Sequence, residues 1–348
     1  MKVDSKNRIA IFDELKGIGI ILVVLGHSIQ YCRKGDVNNI FLLDNVLFEF
    51  IYSFHMPLFM LVSGYLFYYS CERNSLRHNL GRKFKGLLIP IITYTFVLFV
   101  LARQWRVDMP VLEHLVNFFG NLWFLWSVLF SSITLGIIHS KFKGHNKFKT
   151  YWFLQACIII LFLLLPDNYF VTFARIKWMY LCFLLGFEIN KWSLFVQFSR
   201  RKMMIATSFF SVIFLILFQY YNQESFIYTS GFSLYSSKYS AIHQLYIDVF
   251  RYMIGIFGSF AIVGLTLLYP VNLFRKNISH VISTLGQNSI GIYIFQCYLF
   301  IVVHRLTAGL DYSLPRSVGC CIVVISVCML CISITKRSKY LSILILGV

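Results

Sequence analysis

Apolar runs separated by short polar segments recur along this chain, at about 10 to 31, 46 to 70, 86 to 102, 118 to 140, 150 to 166, 173 to 190, 203 to 221, 248 to 270, 282 to 304 and 317 to 335. A helix needs about 20 mostly apolar residues to cross a bilayer, so the pattern predicts about ten transmembrane helices. No internal repeat, heptad run or domain boundary interrupts it, which predicts an all-α integral membrane protein built as a single bundle over residues 1–348. The opening "MKVDSKNRIAIFDELKG" sets acidic residues beside the first apolar run and lacks a small-residue cleavage site after it. That predicts a retained first span.

Composition agrees with a bilayer. The 348 residues are 58% hydrophobic and only 13% charged, against about 25% charged in soluble domains. A formal charge of +18 would suggest nucleic acid in a soluble chain, but here the distribution of Lys and Arg between alternate loops is the informative quantity. With the N-terminus inside, about two thirds of them fall on the cytoplasmic side, in groups such as Lys2, Lys6 and Arg8, then Arg82, Lys83 and Lys85, then Arg275 and Lys276. The bias predicts that both termini are cytoplasmic and gives no reason to invoke a nucleic-acid partner. The nine cysteines lie mostly inside apolar runs without His or acidic partners at metal spacing, so they predict packing and no metal site. Cys328 and Cys331 form a CxxC, but in an apolar helix without a βαβ context it is a weak redox signal.

The first two spans carry the polar exceptions. Lys16 and His27 are eleven residues apart, about three helical turns plus 20°, so both face one direction, and Asp13 lies close to the same stripe. Glycines 17, 19 and 26 keep the surroundings thin. Either Lys16 snorkels to the headgroups while His27 bonds a neighbouring helix, or the stripe marks a functional interior. In the second span "SFHMPLFMLVSGYLF" places His55 in an apolar run two residues before Pro57, which removes a backbone donor and frees a carbonyl. Antiparallel neighbours would bring His55 to a depth near that of His27. Ser63 follows about two turns on, as a cavity-lining or a cross-helix hydroxyl. The segment at 221–246, "YNQESFIYTSGFSLYSSKYSAIHQLY", predicts an external loop whose tyrosines either stack on sugars or anchor at the interface.

With these stretches in view the chain resembles the acyltransferase 3 family of integral membrane O-acyltransferases, in the branch that includes fucose 4-O-acetylases and polysaccharide O-acetyltransferases. The resemblance rests on "FDELKGIGIILVVLGHS", where a basic residue is followed after ten positions by histidine, and on "FHMPLFMLVSGYLF". It rests also on "RKFKGLLIP" at 82–90, "LWFL" at 122–125, which includes Trp123, and "LGQNSIGIYIF" at 285–295. The stretch from about 140 to 280 matches in hydropathy alone. Many relatives carry a histidine at the end of the last block, where this chain has Gln296; Gln296 is therefore left out of the expected catalytic set.

The resemblance implies acyl transfer, most simply acetyl transfer from acetyl-CoA or another acyl-CoA, to a carbohydrate hydroxyl on a surface polysaccharide or its lipid-linked precursor. It implies a multi-pass protein of a bacterial inner membrane, with His27 catalytic. A sugar hydroxyl is a poor nucleophile near neutral pH, and an adjacent base contributes about 10²- to 10⁴-fold. A neutral imidazole suits that task, so the reading assigns His27 as general base, with His55 or a carbonyl freed near Pro57 orienting it. A covalent route through an acyl-imidazole remains open. Arg82 and Lys83 offer cations for the phosphates of CoA, Lys16 lines the path of its pantetheine arm or pairs with Asp13, and Asp13, Ser63 and Trp123 serve as pocket or support. The alternative function is a transporter or flippase for a lipid-linked glycan, since a polar stripe in a bundle also suits a substrate pathway.

Overall fold

In a computed structural model the chain is described over residues 5–34, 45–104, 120–143, 147–167, 171–194, 198–235, 238–268 and 276–348. Lys2 and Arg275, the span ends at 118–119 and 269–270, and positions 236–237 of the long loop lie outside these residues. The helices are α1 (Ser5–Tyr31), α2 (Val46–Arg73), α3 (Leu76–Lys83), α4 (Ile89–Gln104), α5 (Trp123–Phe142), α6 (Phe148–Leu164) and α7 (Val171–Lys191). They continue with α8 (Arg200–Phe218), α9 (Ala241–Leu268), α10 (Lys276–Gln287), α11 (Ser289–Thr307) and α12 (Leu314–Thr335). Among the described residues there is no strand. Local chemistry sets several boundaries: the hydroxyls of Ser75 and Ser199 accept backbone N–H groups at the starts of α3 and α8, and Pro315 in the first turn of α12 has a backbone angle already suited to a helix.

Seven stretches among the described residues are long and apolar enough to cross a membrane: α2, the run Leu76–Leu101 through α3 and α4, α5, α8, α9, α11 and α12. Three expected spans differ. The helix α6 is apolar but has 17 residues. The helices α1 and α7 are long enough, yet Asp13, Glu14 and Lys16 in the first, and Arg175, Lys177 and Glu188 in the second, dilute their apolar content. The expected span at 282–304 is also broken in two. The helix α10 ends at Gln287 and α11 starts at Ser289, with Asn288 between them at φ −102° and ψ 10°. The Asn288 amide donates to the Thr284 carbonyl at 2.8 Å, and its Oδ1 accepts from Lys336 Nζ at 2.7 Å, so a polar side chain satisfies the interrupted ladder.

The chain divides into two compact units. The first comprises residues 1–62, 193–226 and 251–338. Within it α1 is the hub, packed on α10, α11 and α12. Two glycines permit the closest approach: a Cβ on Gly17 would collide with the carbonyl of Ile282, and one on Gly286 with the carbonyl of Asp13. With no side chain between them, the two helices approach backbone to backbone, which maximises van der Waals contact along the seam. The helix α2 runs antiparallel to α1: a Cβ on Gly19 would meet the Phe59 ring and one on Gly26 the Tyr52 ring, and the Tyr52 hydroxyl donates to Gln30 at 3.3 Å. Pro57 does not break α2; its ring packs against Gly255 of α9.

The second unit comprises residues 63–192, 227–250 and 339–348. Here α5 packs on α7, and a π-helical turn, Phe84–Leu88, joins α3 to α4. A second π-turn, Ser342–Leu346, lies near it. Tyr228, Tyr235 and Tyr246 of the long tyrosine-rich segment are exposed.

Candidate active site

On α1, His27 and Tyr31 stand one turn apart. On α11, Gln296, Phe300 and His304 stand one turn apart, and the two stripes face each other on parallel helices. The His27 ring meets Tyr31 at 6.0 Å and Phe300 at 5.7 Å between centroids, edge-on to both. Tyr31 and Phe300 stack at 5.3 Å. The Tyr31 carbonyl, left over at the end of α1, accepts from His304 Nδ1 at 3.3 Å and from Thr307 Oγ1 at 3.0 Å, fixing the frame above the rings. Aromatic walls therefore hold the imidazole inside the unit, although it keeps some accessible surface.

Gln296 is fully buried against His27. Its amide approaches the ring, yet neither amide atom completes a hydrogen bond of good geometry. His55 is also buried, at 4% exposure, and sits close enough to His27 for the two imidazoles to interact electrostatically. Its Nδ1 lies 2.7 Å from the Ile51 carbonyl. A carbonyl only accepts, so in the neutral ring Nδ1 carries the proton and Nε2 is left with a free lone pair. The Tyr52 ring flanks it at 4.8 Å. The carbonyl that orients His55 is thus its own helix's ordinary i−4 group, one turn before the histidine.

Lys16 and Asp13 form an ion pair at 2.7 Å with the side chains 24% and 13% exposed. Asp13 accepts in addition from Gln287 Nε2 at 3.1 Å. The neighbouring Glu14 is buried at 2% exposure, and one of its oxygens accepts the Ser279 hydroxyl of α10 while the other has no partner. A carboxylate in an apolar interior is tolerated when it is hydrogen-bonded or paired, and α10 supplies that partner.

The remaining candidates belong to the second unit. Arg82 is exposed, and Lys83 is partly exposed with its ammonium 5.4 Å from the Phe67 ring centroid. Both stand in the last turn of α3, where cations complement the helix dipole, and Lys85 follows in the π-turn. Ser63 is partly buried on α2, next to Gly64, where a Cβ would meet the Phe183 carbonyl. Trp123 is 7% exposed and lies under the Arg175 guanidinium at 5.4 Å, which also covers the Tyr228 ring at 4.6 Å. Among the described residues no cluster of three His, Cys, Asp or Glu side chains forms a metal site.

Lys16 does pair with Asp13, and His27 does stand near His55, as the spacing along the chain predicts. Glu14 beside Ser279 and Arg175 over Trp123 come without a signal in the sequence, and Gln296, outside the expected catalytic set, stands against His27. A buried glutamine one turn before a phenylalanine inside an apolar run was the available signal for the last of these, because an amide in a span requires a partner.

A chain with seven apolar helices long enough to cross a bilayer among its described residues, and two neighbouring buried imidazoles, has the build of an integral membrane protein with a polar interior site. Residues 9–335 match the family model described as an acyltransferase domain, and the chain belongs to that family, acyltransferase 3. The match runs through both compact units. Among curated proteins, a "Nodulation protein NolL" from Sinorhizobium fredii (strain NBRC 101917 / NGR234) is 35% identical over 188 residues, which cover 53% of this chain and 49% of that protein. A protein of the same name from Mesorhizobium japonicum (strain LMG 29417 / CECT 9101 / MAFF 303099) is 24% identical over 359 residues, covering 99% of this chain and 91% of its own length. No solved structure matches. The protein is therefore a multi-pass membrane acyltransferase.

Proposed function

We propose that this protein transfers an acyl group, most simply acetyl, from acyl-CoA to a hydroxyl of a surface polysaccharide or its lipid-linked precursor in a bacterial inner membrane. The observation that carries this reading is the enclosure of His27 by Tyr31, Phe300 and Gln296, with His55 beside it. His27 is the general base: one ring nitrogen takes the proton of the attacking hydroxyl as its oxygen bonds to the thioester carbon, and the tetrahedral intermediate then expels CoA thiolate. The imidazolium returns that proton to the departing sulfur, so the ring ends neutral and ready for another cycle. His55, whose free Nε2 is fixed by the Ile51 carbonyl, accepts a hydrogen bond near the reacting groups.

About ten crossings with both termini cytoplasmic fit this reading, with α1 and α7 as polar spans kept in place by their ion pairs and hydrogen bonds. The donor is made in the cytoplasm, and the cations Arg82, Lys83 and Lys85 meet its phosphates. Lys16, its charge balanced by Asp13, lines the route of the pantetheine arm. Trp123, buried beneath the Arg175 guanidinium, serves as support for the site.

The test is direct. Membranes containing the protein, given radiolabelled acetyl-CoA and the surface glycan of the host, should form a base-labile ester on the glycan, and membranes without the protein should not. Glycan movement across the membrane with no ester formed would replace this reading with transport.

A further inference from the structure

Gln296 differs from the other buried polar groups around α1. Ser28 donates to the Val24 carbonyl at 2.8 Å, His55 has the Ile51 carbonyl, and Thr307 has two carbonyls. The Gln296 side chain, at 0% exposure, completes no hydrogen bond with either amide atom although it abuts the His27 ring. Burying an amide without a partner is unfavourable, so the arrangement is favourable only when a neighbouring group or a substrate closes the bond. The neighbour within reach is the His27 imidazole.

We infer that Gln296 is a positioning residue for His27: its Oε1 accepts the N–H of one ring nitrogen, which holds the other ring nitrogen unprotonated and turned toward the hydroxyl to be acylated. The opposite amide orientation, with the NH₂ donating to the ring, would consume the lone pair that a base requires. With Oε1 on the ring, the NH₂ group stays free to donate to the thioester oxygen as charge gathers on it. A neutral amide achieves this without the effect a carboxylate would have, which is to raise the basicity of the ring and hold it protonated. The inference rests on the reading of His27 as base, and it concerns a property of the ring that is measurable apart from turnover.

Near that ring stand His55 and Tyr52 on α2 and Tyr31 on α1 itself, with His304 on α11 against Tyr31 and Cys320 on α12 against Ser28. The experiment is solid-state NMR of the full chain in lipid with ¹⁵N-labelled histidine, the His27 signals being assigned by their loss in His27→Asn. Wild type should show one neutral tautomer for His27. Gln296→Leu should give a mixture of tautomers, and Gln296→Glu should move the His27 titration upward by about one pH unit or more, with the His304 signals unchanged as the check on folding. Gln296→Leu should also lower kcat by at least tenfold with KM for acetyl-CoA unchanged. His27 signals and titration identical in all three proteins would overturn the inference. Altered His27 signals with normal transfer would also overturn it, as a contact without a positioning role, whereas near-normal transfer by His27→Ala would remove His27 as base, so the two claims fail separately.

Discussion

The His27 and Phe300 rings meet edge to face, with centroids 5.7 Å apart and planes at 81°. An edge-on aromatic restricts the imidazole without competing for its nitrogens, and such pairs contribute about 0.5 to 1.5 kcal/mol beyond the area they bury. Phe300→Leu, which keeps most of the volume, should leave the protein inserted and folded while letting the ring swing. The expected outcome is a three- to tenfold lower kcat, from about 1 kcal/mol of lost positioning, with KM for acyl-CoA unchanged. Steady-state kinetics on the purified variant check this; an unchanged kcat would mean that the aromatic wall has no part in aiming the base.

The contact between α1 and α10 makes a sharp prediction about stability. Gly286→Ala places a methyl against the Asp13 carbonyl, and relieving that overlap moves backbone against backbone, which costs about 1 to 3 kcal/mol. Gly319 on α12 has nothing within contact range of a Cβ, so Gly319→Ala should be neutral or stabilising by up to about 1 kcal/mol. Thermal unfolding in detergent should therefore show a lowered midpoint for Gly286→Ala and an unchanged or raised one for Gly319→Ala.

Glu14 and Ser279 form a second point of attachment between the same helices. Ser279→Ala leaves a buried carboxylate without its donor, and the loss should be about 1 to 3 kcal/mol. Glu14→Gln in the same background should recover part of it, because an amide is less costly to bury unpaired than a carboxylate. A double-mutant cycle by thermal unfolding measures the coupling directly. Additive effects would show that the hydroxyl contributes nothing to holding the carboxylate.

The helical class and the nearness of His27 to His55 were legible in the sequence, because hydropathy marks the spans and consecutive spans joined by a short segment run antiparallel, which sets the two histidines at similar depth. The number of crossings was less legible. In α1 and α7 the charged residues that interrupt the apolar run are satisfied by partners distant in sequence, such as Ser279 for Glu14 and Gln287 for Asp13, and no local pattern announces them. The break at Asn288 was hidden for a similar reason: the side chain and Lys336 restore the lost ladder from outside the run. That Gln296 stands against His27 was hidden too, because it follows from the packing of α11 on α1.

Arg82 and Lys83, placed together at the end of α3, predict an effect confined to donor binding. Reversing both to Glu should raise KM for acyl-CoA by about ten- to a hundredfold, as the loss of two charge-assisted contacts implies, while kcat at saturation stays within about twofold. Kinetics at two salt concentrations add a second check, since the wild-type KM should rise with ionic strength and that of the variant should not.

The central claim is that the imidazole of His27 removes the proton from the acceptor hydroxyl. The most direct measurement is the rate of ester formation on the host glycan by His27→Ala protein that is inserted and folded like wild type. The account predicts a fall of about 10²- to 10⁴-fold. Transfer within a few fold of wild type would contradict it.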